Sequence, residues 1–277
     1  MPTDKVKQNL EGKTALDIFS TQLFIYEIKK YAKELNLNLN NIEEKMLPQY
    51  LNESLESEDL SVKETAEKIT KKFGERLGVI LLTLKKGQKE NRIKREDWSD
   101  THWEYWNTIE NVILVGGLAS SKVGERLKYY VQRVFEDSGT KCYKIILNKD
   151  SANIGIKGSA TYIKNANPDT PYLIFDFGQT FMKRSIVKIE NRQVKNIENL
   201  DKVLSSNVAW EFESIEEEKQ EAYKSHKNIL NTILDTVKEA ENHVGDTIVI
   251  SIANYVRNGV FANRGGYGKL RLITDNY

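Results

Sequence analysis

The sequence predicts an α/β protein in two parts, a helix-rich first part and a second part ordered β-β-β-α-β. Two apolar runs, "NVILVGG" and "PYLIFDFG", read as buried strands, and each ends in glycine where the chain must turn. Long stretches of helical periodicity precede the first of them. The stretch "NANPDTP", with both late prolines, separates the parts and gives domains 1–166 and 171–277.

From residue 14 to about 35, Leu16, Phe19, Leu23, Tyr26, Ile28 and Tyr31 fall near helical spacing and predict one amphipathic helix. "NLNLNN" breaks it. "NIEEKMLPQYLNESL" is a shorter helix, bent or ended around Pro48. From Ser61 to about Lys86, Val62, Ala66, Ile69, Phe73, Leu77 and the run 79–82 supply an apolar face, and Ser61 with Glu64 reads as a capping box. "KKGQKENRIKRED" reads as a solvated loop. "WSDTHWEYW" holds three of the four tryptophans, either as a packing plug under a loop or as a ligand-stacking platform. The strand "NVILVGG" leads into a helix with Val123, Leu127, Tyr130 and Val134 on one face, then the strand "KCYKIILN" and a helix begun in "SANIGIKGSATYIK". Beyond the linker come strands at 172–177, 183–190 and about 193–199, and a helix over roughly 214–243. "DTIVISIAN" is a further strand, and "NGVFANRGGYGK" is a loop rich in glycine and asparagine.

Charged residues make up 29% of the 277 but cancel to a formal net charge of +1. That balance gives no reason to expect nucleic acid or a membrane surface as a partner. A single cysteine, Cys142, excludes an internal disulfide framework and a multi-cysteine zinc site. No apolar run approaches the roughly 18 residues of a membrane span. The polar start "MPTDKVKQNLEGK" lacks an apolar signal core, so a cytoplasmic setting is expected. His102, His226 and His243 are dispersed, and each reads as solvated or structural rather than metal-binding.

Two stretches carry chemistry. In "FDFGQT", Asp176 ends an apolar strand, Gly178 lets backbone approach a ligand closely, and Thr180 adds a hydroxyl. Successive turn amides can form an anion nest, and one carboxylate suffices for a Mg²⁺ that keeps its waters. A plain hairpin explains the same residues. In "VILVGGLASSKVGERLKYYV", a strand delivers Gly116 and Gly117 to a helix N-terminus, where the dipole favours a polar or anionic ligand. A plain strand-to-helix turn is the alternative.

Together the two stretches resemble the sugar-kinase, heat-shock-chaperone and actin ATPase superfamily, nearest the bacterial ROK group of sugar kinases and sugar-responsive repressors. "LIFDFGQTFMKRSIVKI" looks like the family's first phosphate motif, normally D-x-G-G-T. "VILVGGLASSKVGERL" is similar to its adenosine motif, and "DSANIGIKGSATYI" looks like its closing segment. The helix with "FGERLGVILLTL" fits the one before the adenosine strand. The resemblance implies two actin-like (ribonuclease H-like) lobes. It implies ATP and Mg²⁺, with Asp176, Gly178, Gln179 and Thr180 at the phosphates and Asp176 at the metal. Gly116, Gly117 and Leu118 would meet adenosine. By the same comparison "NYVRNGVFANRGGYG" lies near a sugar, with Asn254, Asn258 and Asn263 on its hydroxyls, although asparagine is also an ordinary turn former.

The family runs phosphate motif first and adenosine motif last, and this chain reverses the order. A circular permutation, a piece of a tandem, or halves that pair between molecules as a homo-oligomer would each account for it. The family's second glycine is Gln179 here, and "ISIANYVRNG" lacks the Gly-Thr-Gly of a second phosphate loop. Asp150 and Asp275 are faint candidates for the family's general base, and its zinc-binding Cys/His cluster is missing. Two functions stay open. One is a nucleotide-binding, sugar-kinase-like enzyme; the other is a non-catalytic sugar or nucleotide sensor or an actin-like assembly module.

Overall fold

The structure is a computed structural model. It describes all residues except 117–120, 149, 151–152, 180, 207–210, 241–243, 258–259, 264 and 275–277, and the side chains of Lys45 and Arg257. The chain is a mixed α/β protein. Its internal contacts divide it into two compact units, Met1–Ala152 and Asn153–Tyr277.

The first unit is mainly helical. Helices α1 (Ala15–Ile18) and α2 (Thr21–Lys30) stand where one helix was expected. The cause is local capping. Thr14 and Asp17 close a capping box on α1, and the Ser20 hydroxyl accepts the Leu23 N–H (3.3 Å) and starts a second helix. Helix α3 (Leu47–Ser54) carries Pro48 in its first turn, where the missing N–H has no helical partner to lose. Helix α4 (Leu60–Lys86) runs 27 residues. Its N-cap is Asp59, which accepts from the Ser61 and Val62 amides, so Ser61 lies inside the helix rather than capping it. The segment expected as a solvated loop contains a short helix, α5 (Lys89–Ile93).

Helix α6 (Asp100–Thr108) carries the tryptophan cluster. Trp103 is buried against Gly87, the left-handed C-cap of α4. Trp98 lies 5.2 Å from Trp103 and 6.3 Å from Trp106 between ring centroids. Trp98 meets Trp103 edge-on and stacks with Trp106 and His102, contacts that suit a packing plug. His102 is structural too: its Nδ1 accepts the Ser99 N–H (3.1 Å) at the start of α6.

Strand β1 (Asn111–Leu114), helix α7 (Lys122–Asp137) and strand β2 (Lys144–Leu147) follow, and β1 and β2 pair in parallel with Val112 beside Ile145. Helix α7 lies against α4 at two glycines. A Cβ at Gly74 would stand 2.6 Å from Tyr130 Cβ, and one at Gly78 would stand 2.8 Å from Val134 Cβ. That approach buries Val79, Leu82, Val131, Val134 and Phe135 with Tyr143 and Ile145.

In the second unit, helix α8 (Ile154–Ala160) precedes strands β3 (Tyr172–Phe177), β4 (Phe181–Glu190), β5 (Gln193–Asn199) and β6 (Val203–Leu204). Helix α9 (Ile215–Glu239) then crosses to β7 (Ile248–Ile252), and the short strands β8 (Val256–Arg257) and β9 (Val260–Phe261) form a hairpin. The sheet order is β5-β4-β3-β7, antiparallel from β3 to β5, with β7 parallel to β3. Side chains alternate between faces. Leu173, Phe175 and Phe177 pack with Ile229 of α9, whereas Tyr172 and Ile174 pack with Ile156 and Ala160 of α8. Helix α8 therefore belongs to this sheet, although its sequence reads with the preceding strand. The expected linker at 165–171 lies inside the second unit. Arg184 on β4 is buried and ties α9 to the sheet through Glu239 (2.7 Å), Thr236 (3.2 Å) and the Asp201 carbonyl (2.8 Å).

Candidate functional site

The carboxyl ends of β3 and β7 lie side by side, and the residues there form the candidate site of the second unit. Asp176 is the penultimate residue of the buried strand β3 and projects toward α8. Its Oδ1 accepts from Ser251 Oγ (2.9 Å), its registered neighbour on β7. Its Oδ2 faces Lys183 Nζ (3.2 Å), its registered neighbour on β4. The first turn of α8 closes the other side, where a Cβ at Gly155 would stand 2.7 Å from Oδ2. Only glycine permits that approach.

The turn after Asp176 is tight. Gly178 N–H donates to the Phe181 carbonyl (3.0 Å), and a Cβ at Gly178 would meet that same oxygen at 3.0 Å. Hairpin closure alone therefore gives a reason for the glycine. The Gly178 carbonyl accepts from Ser205 Oγ (2.8 Å) and from Tyr267 Oη (2.9 Å). Tyr267 is buried, and burial raises its phenol above the usual range. Gln179 donates its side-chain amide to the Ala253 carbonyl (2.7 Å) just after β7. Thr180 lies outside the described residues.

Beyond Ala253 the chain folds on itself. Asn254 N–H donates to the Ile252 carbonyl and Ala262 N–H to the Tyr255 carbonyl, both at 2.8 Å. The Asn254 side-chain amide is buried with neither its oxygen nor its nitrogen hydrogen-bonded. It tucks under Gly265, whose φ is +84° and whose missing Cβ would stand 2.6 Å from Asn254 Oδ1. A desolvated amide without partners is costly, about 1–3 kcal/mol. Asn263 is exposed on the same loop, and Asn258 lies outside the described residues.

In the first unit, Gly116 follows β1 with φ +95° and open space around its absent Cβ. The left-handed backbone there favours glycine without reference to a ligand. Gly117 and Leu118 lie outside the described residues. The same unit has a recess of about 440 Å³ lined by Lys85, Cys142 and Tyr143 among others. The Lys85 ammonium bonds the Asn107 (2.6 Å) and Ile109 (2.9 Å) carbonyls and lies over the Tyr143 ring. Burial raises the Cys142 thiol above its usual range.

Among the described residues, the Asp176 carboxylate meets the Ser251 hydroxyl and the Lys183 ammonium. Among the described residues no three His, Cys, Asp or Glu side chains gather to hold a metal. A single carboxylate fits a Mg²⁺ that arrives with a nucleotide and keeps most of its waters; it does not fit a resident ion. Sequence reading missed Lys183 and Ser251. Both could have been found by pairing register, because each stands directly beside Asp176 across a strand. Among the described residues no helix is long and apolar enough to cross a membrane. No protein-family model matches the chain, and no curated protein sequence matches it.

Proposed function

We propose that the protein binds a nucleotide in the manner of the actin-like ATPase and sugar-kinase superfamily, with the second unit as its phosphate-hairpin lobe and the first as its adenosine lobe. Asp176 holds the waters of an incoming Mg²⁺, Lys183 and the 178–180 turn meet phosphate, and Gly116, Gly117 and Leu118 meet adenosine. The observation that carries this reading is the placement of Asp176. It stands one residue from the carboxyl end of β3, an inner strand of a β5-β4-β3-β7 sheet, with its carboxylate between Ser251 and Lys183. Ligands of open α/β sheets gather at such carboxyl ends. A sugar near Asn254, Asn258 and Asn263 belongs to the same reading, and the unpartnered Asn254 amide supports a polar ligand there.

The non-catalytic form of this function, a nucleotide or sugar sensor, is favoured by one feature. The Gly178 N–H and the Gln179 amide are both committed within the protein.

Calorimetric titration with Mg·ATP tests the reading. Wild type is expected to bind weakly, with Kd on the order of 0.1–1 mM. Lys183→Met removes a charged contact of about 1.5–3 kcal/mol and should weaken binding roughly 10- to 100-fold. Gly117→Val should obstruct adenosine while leaving the fold largely intact. If wild type binds no ATP, or binds it as well as both variants do, the nucleotide assignment fails.

A further inference from the structure

The two edges of the second unit's sheet are built differently. Strand β5 carries Lys195, Asn196, Glu198 and Asn199, the polar and charged dressing of an edge that meets water. Strand β7 is the other edge. Its sequence, IVISI, has no charge, no proline and no glycine, and among the described residues no strand pairs beyond it. The phase of its backbone follows from one bond: Ala253 N–H donates to Phe177 on β3 (2.8 Å). Backbone direction alternates along a parallel strand, so Val249 and Ser251 also turn to β3, and Ile248 and Ile250 present N–H and C=O at the open edge. Their side chains lie on the α9 face and are 40% and 42% exposed.

Helix α9 continues this apolar strip. Tyr223, Leu230 and Leu234 are exposed, and their spacing puts them on one flank. The opposite flank faces β4 and β6, because Glu239 bonds Arg184 and Asn228 bonds the Leu204 carbonyl. The exposed flank is therefore turned away from β4 and β6.

We propose that β7 is an interface strand, and that its occupant is β7 of a second copy of this chain, paired antiparallel about a two-fold axis through Ile250. The register is self-complementary. Ile250 meets its own counterpart, Ile248 faces Ile252 of the partner copy, and Val249 faces Ser251. No like charges oppose each other, and all three isoleucines stay on the α9 face. The two-fold keeps both α9 helices on one side of the joined sheet, so their Tyr223, Leu230 and Leu234 flanks cover the seam. A strand edge alone is short of the roughly 800 Å² per partner of a standard interface, and the helix flanks supply the remainder. This inference is independent of the nucleotide reading.

Sedimentation of the full chain at about 100 µM, above the micromolar range of weak interfaces, should give a dimer. Ile250→Lys places two ammonium groups across the axis and should weaken the dimer at least tenfold. Its circular dichroism should be unchanged, because the residue is exposed. Oxidation of Ile250→Cys in a Cys142→Ser background should give a covalent dimer, since residues paired on the axis stand about 5.5 Å apart between Cα atoms. The exposed control Val260→Cys in the same background should not cross-link. A monomeric wild type, or a dimer indifferent to Ile250→Lys and without the Ile250→Cys cross-link, overturns the proposal.

Discussion

Valine at Gly74 or Gly78 should each cost the first unit up to about 3 kcal/mol, and both together should lower its unfolding midpoint further than either alone. The added Cβ atoms would stand 2.6 Å from Tyr130 Cβ and 2.8 Å from Val134 Cβ. Those neighbours are themselves Cβ atoms and cannot rotate away, so the helices α4 and α7 must separate. Overpacking of this kind typically costs about 1–3 kcal/mol per site, set against a total domain stability of about 5–15 kcal/mol. The sign of an alanine substitution makes the test sharp. At an exposed helical position Gly→Ala stabilises by up to about 1 kcal/mol. Here Gly74→Ala and Gly78→Ala should destabilise, because even one methyl group cannot fit. Urea unfolding followed by tryptophan fluorescence reports chiefly on this unit, which holds Trp98, Trp103 and Trp106 of the four tryptophans. An unchanged or raised midpoint for the alanine variants would show that the helices do not approach this closely.

What the sequence revealed and what it hid divide along the range of the interactions. The strands of the second unit were legible because "YLIFDF" and "IVISI" are apolar runs of strand length, and the β-β-β-α-β order followed from them. Helix α4 was legible from its periodicity. Local caps were not: Ser20 starts α2 inside the stretch whose periodicity reads as one helix, and Asp59 rather than Ser61 caps α4. The glycines of α4 were read only as part of a motif, since the reason for them, helix α7, lies some fifty residues away. At the site, Asp176 and Gly178 stood out because strand and turn are local. Gln179 was noted only as a departure from the family pattern, and its bond to the Ala253 carbonyl spans 74 residues. Gly155 was invisible as a site residue. Its approach to Asp176 depends on α8 packing against β3, a tertiary choice made by Ile156 and Ala160.

ADP release with glucose, mannose, N-acetylglucosamine or N-acetylmannosamine should stay near background even where Mg·ATP binds. Phosphoryl transfer depends on positioning and on donors aimed at the developing charge. The first such donor, Gly178 N–H, is spent on Phe181 (3.0 Å), and Gln179 reaches away to Ala253 (2.7 Å). A second phosphate loop would have to come from the turn after β7. There Asn254 N–H goes to Ile252 and Ala262 N–H to Tyr255 instead. No general base is assigned either. The Asp150 N–H donates to Asn148 Oδ1 (2.9 Å) in the first unit, Asp275 lies outside the described residues, and the Asp176 carboxylate is engaged by Lys183 and Ser251. A base contributes typically ~10²–10⁴-fold, and each oriented donor roughly 10²–10³-fold. Their combined loss places turnover at least about 10⁴-fold below the ~1–100 s⁻¹ of ordinary kinases. Gln179→Gly removes the tether to Ala253 and places glycine where the D-x-G-G-T pattern has it, so on the nucleotide reading it should tighten Mg·ATP binding without bringing turnover, because no base is assigned. Turnover of wild type at kinase rates, abolished by Asp176→Asn, would mean that the committed hydrogen bonds of this turn open when nucleotide arrives and that the protein is a working transferase.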